Sequence, residues 1–123
     1  MKDIVLTFGA LYGGLAVIFG AFGAHALKKR MNEELLKSFE TGVKYQMYHA
    51  LALLLVSVLL PFENGLQNAV AWCFILGTFL FSFSIYGLCL TSMQGNKWRF
   101  LGPITPLGGL LLVTGWLLLV FSV

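Results

Sequence analysis

The sequence predicts an all-α membrane protein, a bundle of four transmembrane helices formed by one domain over residues 1–123. Three observations carry this expectation. Of the 123 residues, 59% are hydrophobic and only 11% charged, against about 25% charged in an ordinary soluble domain. A chain so poor in charge and with a mean hydropathy of +0.87 cannot cover a compact surface with polar groups, and lipid removes that need. The apolar residues gather into four runs, approximately 4–27, 45–60, 66–90 and 101–123, and a hydrocarbon core of ~30 Å asks for about 20 residues per helix. Finally, the basic residues collect in alternate loops.

The first run extends from Ile4 to Leu27. Ala24-His25-Ala26 has the small-residue pattern of a signal-peptidase site, but the run is longer than the ~7–15 residues of a signal h-region. Lys2 is offset by Asp3, and the strong positive cluster Lys28-Lys29-Arg30 follows the run instead of preceding it. A retained span is expected. Its small residues recur at four-residue spacing, as Gly9 and Gly13, Ala10 and Gly14, then Ala16, Gly20 and Ala24. In lipid, close backbone approach drives helix association because apolar burial gains little. The first span is therefore expected at the centre of the bundle. Gly108, Gly109 and Gly115 offer the same opportunity on the fourth span.

Between the first two runs lies "NEELLKSFETGVKY". Asn32 suits an N-cap, and Glu33 and Glu34 favour the positive end of a helix dipole. Leu35, Leu36, Phe39 and Val43 share one helical face, with Lys37, Glu40 and Lys44 elsewhere. The segment reads as an interfacial amphipathic helix between the first and second spans, or as an extension of the second span, with Gly42 a candidate bend. The second span, Tyr45 to Leu60, is ended by Pro61. The third, Leu66 to Leu90, carries Trp72 and Trp98 near opposite ends, as interfacial belts do. The fourth runs from Leu101 to Val123, its helix expected to open at Thr105-Pro106, with threonine capping and proline in the first turn.

Lys28, Lys29, Arg30, Lys37 and Lys44 fall in the first loop and Lys97 and Arg99 in the third, leaving only Lys2 at the other end. By the positive-inside rule both termini lie outside the cytosol, in a plasma (inner) membrane protein. The same basic residues, mixed with Glu33, Glu34 and Glu40, flank spans in a way that argues against a nucleic-acid partner. Cys73 and Cys89 are separated by roughly 24 Å along one helix, beyond disulfide reach, and read as small buried hydrophobes.

With that topology His25, Tyr45, Gln46, His49, Tyr86 and Thr105 fall at one depth, near the cytosolic side. Buried polar groups in lipid need partners, so several of these are expected to touch. His25 in particular is expected to hold one partner through each ring nitrogen, Tyr45 or His49 on the second span and Thr105 or a backbone carbonyl near the fourth. Thr78, Ser82 and Tyr86 form an i, i+4, i+8 stripe. Its hydroxyls read as bonded to their own helix or a neighbour, and the sharper alternative is the wall of a polar pocket. Two histidines can ligate haem, move protons or hold a metal. No carboxylate or cysteine supports them as a metal set, no acidic residue lies inside a span, and no nucleophile–base constellation or phosphate loop is present. No cofactor, metal or catalytic residue is assigned.

The stretches "GAFGAHALK", "FETGVKYQMYHALALL", "FSFSIYGLCL" and "GPITPLGG" followed by "GW" resemble, in this order and over nearly the whole chain, the YgdD/YwdK family. These are small bacterial inner-membrane proteins of unknown function with mitochondrial relatives. The resemblance implies a four-span helical protein without an established activity. It marks His25, Tyr45, Gln46, His49, Ser82, Tyr86, Pro106 and Gly108 as pattern positions. Phe83 stands where the resemblance implies a small residue, so no close helix contact is expected on that face. The expected function is that of a non-enzymatic accessory or assembly protein, acting with a membrane-protein partner or as a homo-oligomer in the bilayer. The alternatives are a carrier of a small solute or protons built on the His/Tyr cluster, and, last, a haem- or quinone-linked redox protein.

Overall fold

Two asparagines decide where the chain turns back into the bundle. Asn32 accepts a hydrogen bond from the Leu35 N–H through its side-chain oxygen (2.8 Å), and Asn64 accepts one from the Gln67 N–H (3.0 Å). Each pairs one of the N–H groups that a helix start leaves without an internal acceptor. The Gln67 side chain reaches back to accept from the Glu63 N–H (2.9 Å), a near relative of the capping box.

The computed structural model describes residues 1–123. Four helical runs result: α1, Lys2–Leu27; α2, Glu33–Leu59; α3, Gly65–Met93; and α4, Ile104–Val120, which follows a single 3-10 turn at Arg99–Leu101. Each is long and apolar enough to cross a membrane once that turn is counted with α4. No strand is present. The last turn of α1 and a mid-length turn of α3 widen into π-helix, over Gly23–Leu27 and Phe79–Phe83.

Helix α1 packs along α2, α3 packs along α4, and the two hairpins meet through α2 and α3. The main core therefore lies between α2 and α3, around Leu53, Val56, Val70, Phe74 and Ile75, with Val5 and Tyr12 closing it from α1 and Leu112 from α4. A smaller cluster of Leu27, Met31, Phe39, Tyr86 and Cys89 fills the end that carries the basic loops. We refer to this as the basic end.

Four expectations change. The interfacial helix does not exist as a separate element: Glu33–Leu59 is one uninterrupted helix, and its amphipathic first half is the extension of the second span. Gly42 does not bend it. Instead Gly42 is buried against Tyr86, where a Cβ would lie 2.9 Å from the ring. The first span is not central either. Half of the most apolar stretch of α3 is buried (50%), against 22% for α1, and α1 leans on α2 from outside. Thr105 does not cap α4, which starts one residue earlier at Ile104; its hydroxyl is used across the α3–α4 interface.

The glycine contacts explain the changed arrangement. Gly9 is pressed onto Leu54, the Ala50 carbonyl and Leu53 of α2. Gly13, Gly20 and Gly109 would place a Cβ at ordinary contact distance (3.8, 3.5 and 3.6 Å), and Gly14 faces open space. Ala24 is exposed. The tightest approaches instead join α3 to α4. Gly77 meets Leu112, Gly115 meets Phe74, and Gly108 lies directly on the backbone of Leu80 and Phe81. That last contact falls on the widened turn of α3.

Candidate functional site

The polar side chains in the membrane-spanning region bond mostly to backbone carbonyls, several of them on a neighbouring helix, and in three pairs to one another. Gln46 on α2, fully buried, donates from Nε2 to the Tyr12 carbonyl of α1 (2.9 Å). Its Oε1 accepts the Tyr86 hydroxyl of α3 (2.6 Å). One side chain thus fastens three helices. One turn from Gln46, the Gly42 carbonyl accepts the Ser82 hydroxyl (2.7 Å), again from α3 to α2. The Tyr12 hydroxyl donates to the Ile75 carbonyl (2.8 Å). Ser84 and Thr105 share a hydrogen bond of 2.5 Å between α3 and α4. Of the i, i+4, i+8 stripe, Ser82 and Tyr86 bond to α2, while the Thr78 hydroxyl is buried without a partner.

His49 joins α2 to α4. Its Nδ1 lies 2.7 Å from the Tyr45 carbonyl, and a carbonyl can only accept, so Nδ1 carries the hydrogen. Nε2 then accepts the Trp116 indole N–H at 3.0 Å. Both ring nitrogens are occupied by a single neutral tautomer. A proton added at Nε2 would face an indole that can only donate. Phe74 and Tyr45 pack on the imidazole. Tyr45 itself is 41% exposed and adds its ring, through His49 and Phe81, rather than a hydrogen bond.

His25 is the exception among the residues expected here. It is exposed in the widened last turn of α1 and reaches neither Tyr45, His49 nor Thr105. The physical reason is rotational. Gly23 and Leu27 are the residues of this turn that face α2 and α3, and Gly23 would place a Cβ 3.0 Å from Phe39. That orientation turns His25 outward. The two histidines are thus not brought together, and no group of three or more His, Cys, Asp or Glu is arranged to hold a metal ion.

Three participants escaped the sequence reading. Tyr12 and Trp116 each carry a polar tip on an apolar body inside a span, and a buried tip requires a partner; that requirement was the available signal. Ser84 carried none, because only the widened turn of α3 sets its angle toward Thr105.

Where the network ends, an open cleft begins. At the basic end α2, α3 and the start of α4 diverge around a cleft of about 470 Å³, within the ~300–1,000 Å³ of ordinary ligand sites. Glu34, Ser38 and Thr41 line it from α2, Cys89 and Ser92 from α3, and Lys97 and Thr105 from the segments beyond. Cys89 is a free thiol at the buried edge, 3.5 Å from the Leu35 carbonyl.

Residues 19–109, which include the widened turns, Gln46, His49, Ser82 and Tyr86, match a family model described as "Protein of unknown function (DUF423)". The chain belongs to the DUF423 family. It is 40% identical over 119 residues to a UPF0382 membrane protein of Staphylococcus haemolyticus, covering 97% of this chain and 93% of the relative. It is 38% identical to the UPF0382 membrane protein YwdK of Bacillus subtilis, covering 97% and 94%. A UPF0382 membrane protein of the yeast Schizosaccharomyces pombe is 43% identical over 113 residues, covering 91% and 94%. No solved structure matches. The DUF423 chain is accordingly a four-helix membrane protein of the family that the sequence motifs pointed to.

Proposed function

We propose that this DUF423 protein is a non-enzymatic membrane protein that works by binding, as an accessory or assembly partner in the plasma membrane, with its basic end in the cytosol. The observation that carries this reading is how the buried polar groups are used. Gln46, Tyr86, Ser82, Tyr12, His49 and Trp116 spend their donors and acceptors on one another and on the backbone. They tie helices together. The cleft between α2, α3 and α4 is where charged and hydroxyl groups from separate elements converge toward solvent, and it is the surface assigned to the partner. An affinity pull-down from native membranes, with Ser38→Trp as the blocked-cleft control, tests the reading. A stoichiometric membrane protein retained by the parent and lost by the variant supports it. Equal recovery by both, or none by either, counts against it.

A second reading draws on the same cleft. Glu34 and Lys97 with Ser38, Thr41, Ser92 and Thr105 would suit a small polar solute, and a carrier would load there. Flux into liposomes containing the purified protein separates the two readings. A redox role linked to haem or quinone gains no support from an exposed His25 and a His49 bonded at both nitrogens. A visible absorption spectrum of the purified protein is its direct test.

A further inference from the structure

Helices α1 and α3 meet through aromatic side chains, and Phe83 stands between them. Its ring lies between the two, with centroids 6.4 Å from Tyr12, 6.2 Å from Phe19 and 5.4 Å from Tyr86. The gap left beyond it is a groove of about 230 Å³ with no polar surface, walled by Phe19, Phe22 and Leu27 of α1 and by Phe83, Tyr86 and Leu90 of α3, with Phe39 of α2 behind. From Phe19 to Leu27 α1 rises at most about 12 Å, less where its last turn is widened, so the wall runs through most of one leaflet, half of a ~30 Å hydrocarbon core. Water has no hydrogen-bonding partner along such walls.

Charge identifies the occupant. Leu27 is the last wall residue at the groove's outer end, and Lys28, Lys29 and Arg30 follow it immediately, all exposed. The acidic residues nearest in sequence, Glu33 and Glu34, open α2, and Glu34 lines the polar cleft instead. An apolar slot whose wall ends at Leu27, followed directly in sequence by three exposed cations, suits a lipid with an acyl chain and an anionic headgroup.

We propose that this groove is a binding site for an anionic glycerophospholipid, its acyl chain between α1 and α3 and its phosphate at Lys28, Lys29 and Arg30. The site is independent of the cleft assigned above to a partner, and either can fail without the other. Because a basic residue at an anionic surface contributes about 1 kcal/mol, three of them give a preference for phosphatidylglycerol over phosphatidylcholine on the order of a hundred-fold.

The experiment is native mass spectrometry of the purified full chain in mild detergent, titrated with each lipid, alongside thermal stability. The parent should retain phosphatidylglycerol selectively. The triple variant Lys28→Gln, Lys29→Gln, Arg30→Gln should lose the selectivity while keeping its lipid-free melting temperature. Leu90→Trp, which fills the slot, should lower retention of both lipids. Phe22→Gln does the same at a position already 53% exposed, so its folding is not in question if Leu90→Trp fails to fold. Equal retention of the two lipids by the parent overturns the proposal, as does unchanged retention by Phe22→Gln. Stabilisation by inorganic phosphate equal to that by phosphatidylglycerol overturns it too, since the cations alone would then be the site.

Discussion

Gln46 and Tyr86 are the pair on which the α1–α2–α3 junction depends most directly. Gln46→Leu keeps the volume but leaves the Tyr86 hydroxyl and the Tyr12 carbonyl without their partner, so a loss of about 1–3 kcal/mol is expected. Tyr86→Phe keeps the ring and leaves one buried acceptor, Gln46 Oε1, unpaired instead of two groups, so a smaller loss of about 1 kcal/mol is expected. Unfolding in mixed detergent micelles should rank them in that order, and a larger effect of Tyr86→Phe would contradict the network. The two histidines should separate equally clearly. His25→Ala is expected within about 0.5 kcal/mol of the parent because its side chain is exposed. His49→Ala leaves the Trp116 indole unpaired and removes a ring packed on Phe74. With Trp72 and Trp98 replaced by phenylalanine, the emission of Trp116 should shift on His49→Ala and not on His25→Ala.

At the scale of the element, the widened turn of α3 is where two neighbours meet. Ser82 within Phe79–Phe83 bonds to α2, and Gly108 of α4 rests on the backbone of the same turn. A Cβ at position 108 would overlap backbone atoms, which cannot rotate away. Gly108→Ala should therefore push α4 off α3 and destabilise by about 1–3 kcal/mol or more. Gly109→Ala, with ordinary contact at 3.6 Å, and Gly14→Ala, with none, should be neutral or gain up to about 1 kcal/mol from helix propensity. The contrast between adjacent glycines 108 and 109, read as melting temperatures in detergent, distinguishes a built contact from a general liking for small residues.

For the whole molecule, topology has the cleanest measurement. Seven of the basic residues, all but Lys2, lie at the end formed by the loops after α1 and α3, and the proposal places that end in the cytosol. A reporter fused after Val123 should be active only outside the cytosol, and a cysteine placed at Lys37 should be labelled from the cytosolic side. A majority of molecules with a cytosolic C-terminus would overturn the orientation and, with it, the side on which the cleft opens. The division into two hairpins also predicts where the bundle yields first. The α1–α2 and α3–α4 contacts are extensive, whereas α1 and α4 do not touch, so hydrogen exchange should reach the outward faces of α1 and α4 before α2 and α3.

The sequence by itself determined the all-α class, the four spans, the Asn32 cap, the amphipathic first half of α2 and the family, because each is a local property. Span length is set by bilayer thickness, capping by one side chain, and membership by the order of short motifs. Gln46, His49, Ser82 and Tyr86 were legible as polar residues that lipid obliges to find partners. Which partners they found was decided only by tertiary structure, since that depends on helix rotation and on depth. Counting small residues suggested a central α1, yet a glycine permits close approach without specifying a neighbour. The tight approaches are made where Gly77, Gly108 and Gly115 meet bulky residues or backbone of the facing helix. The widened turns carry no signature in sequence. They add part of a residue to a turn and so change the rotation of the side chains in and after it, where His25 is turned outward and Ser84 meets Thr105.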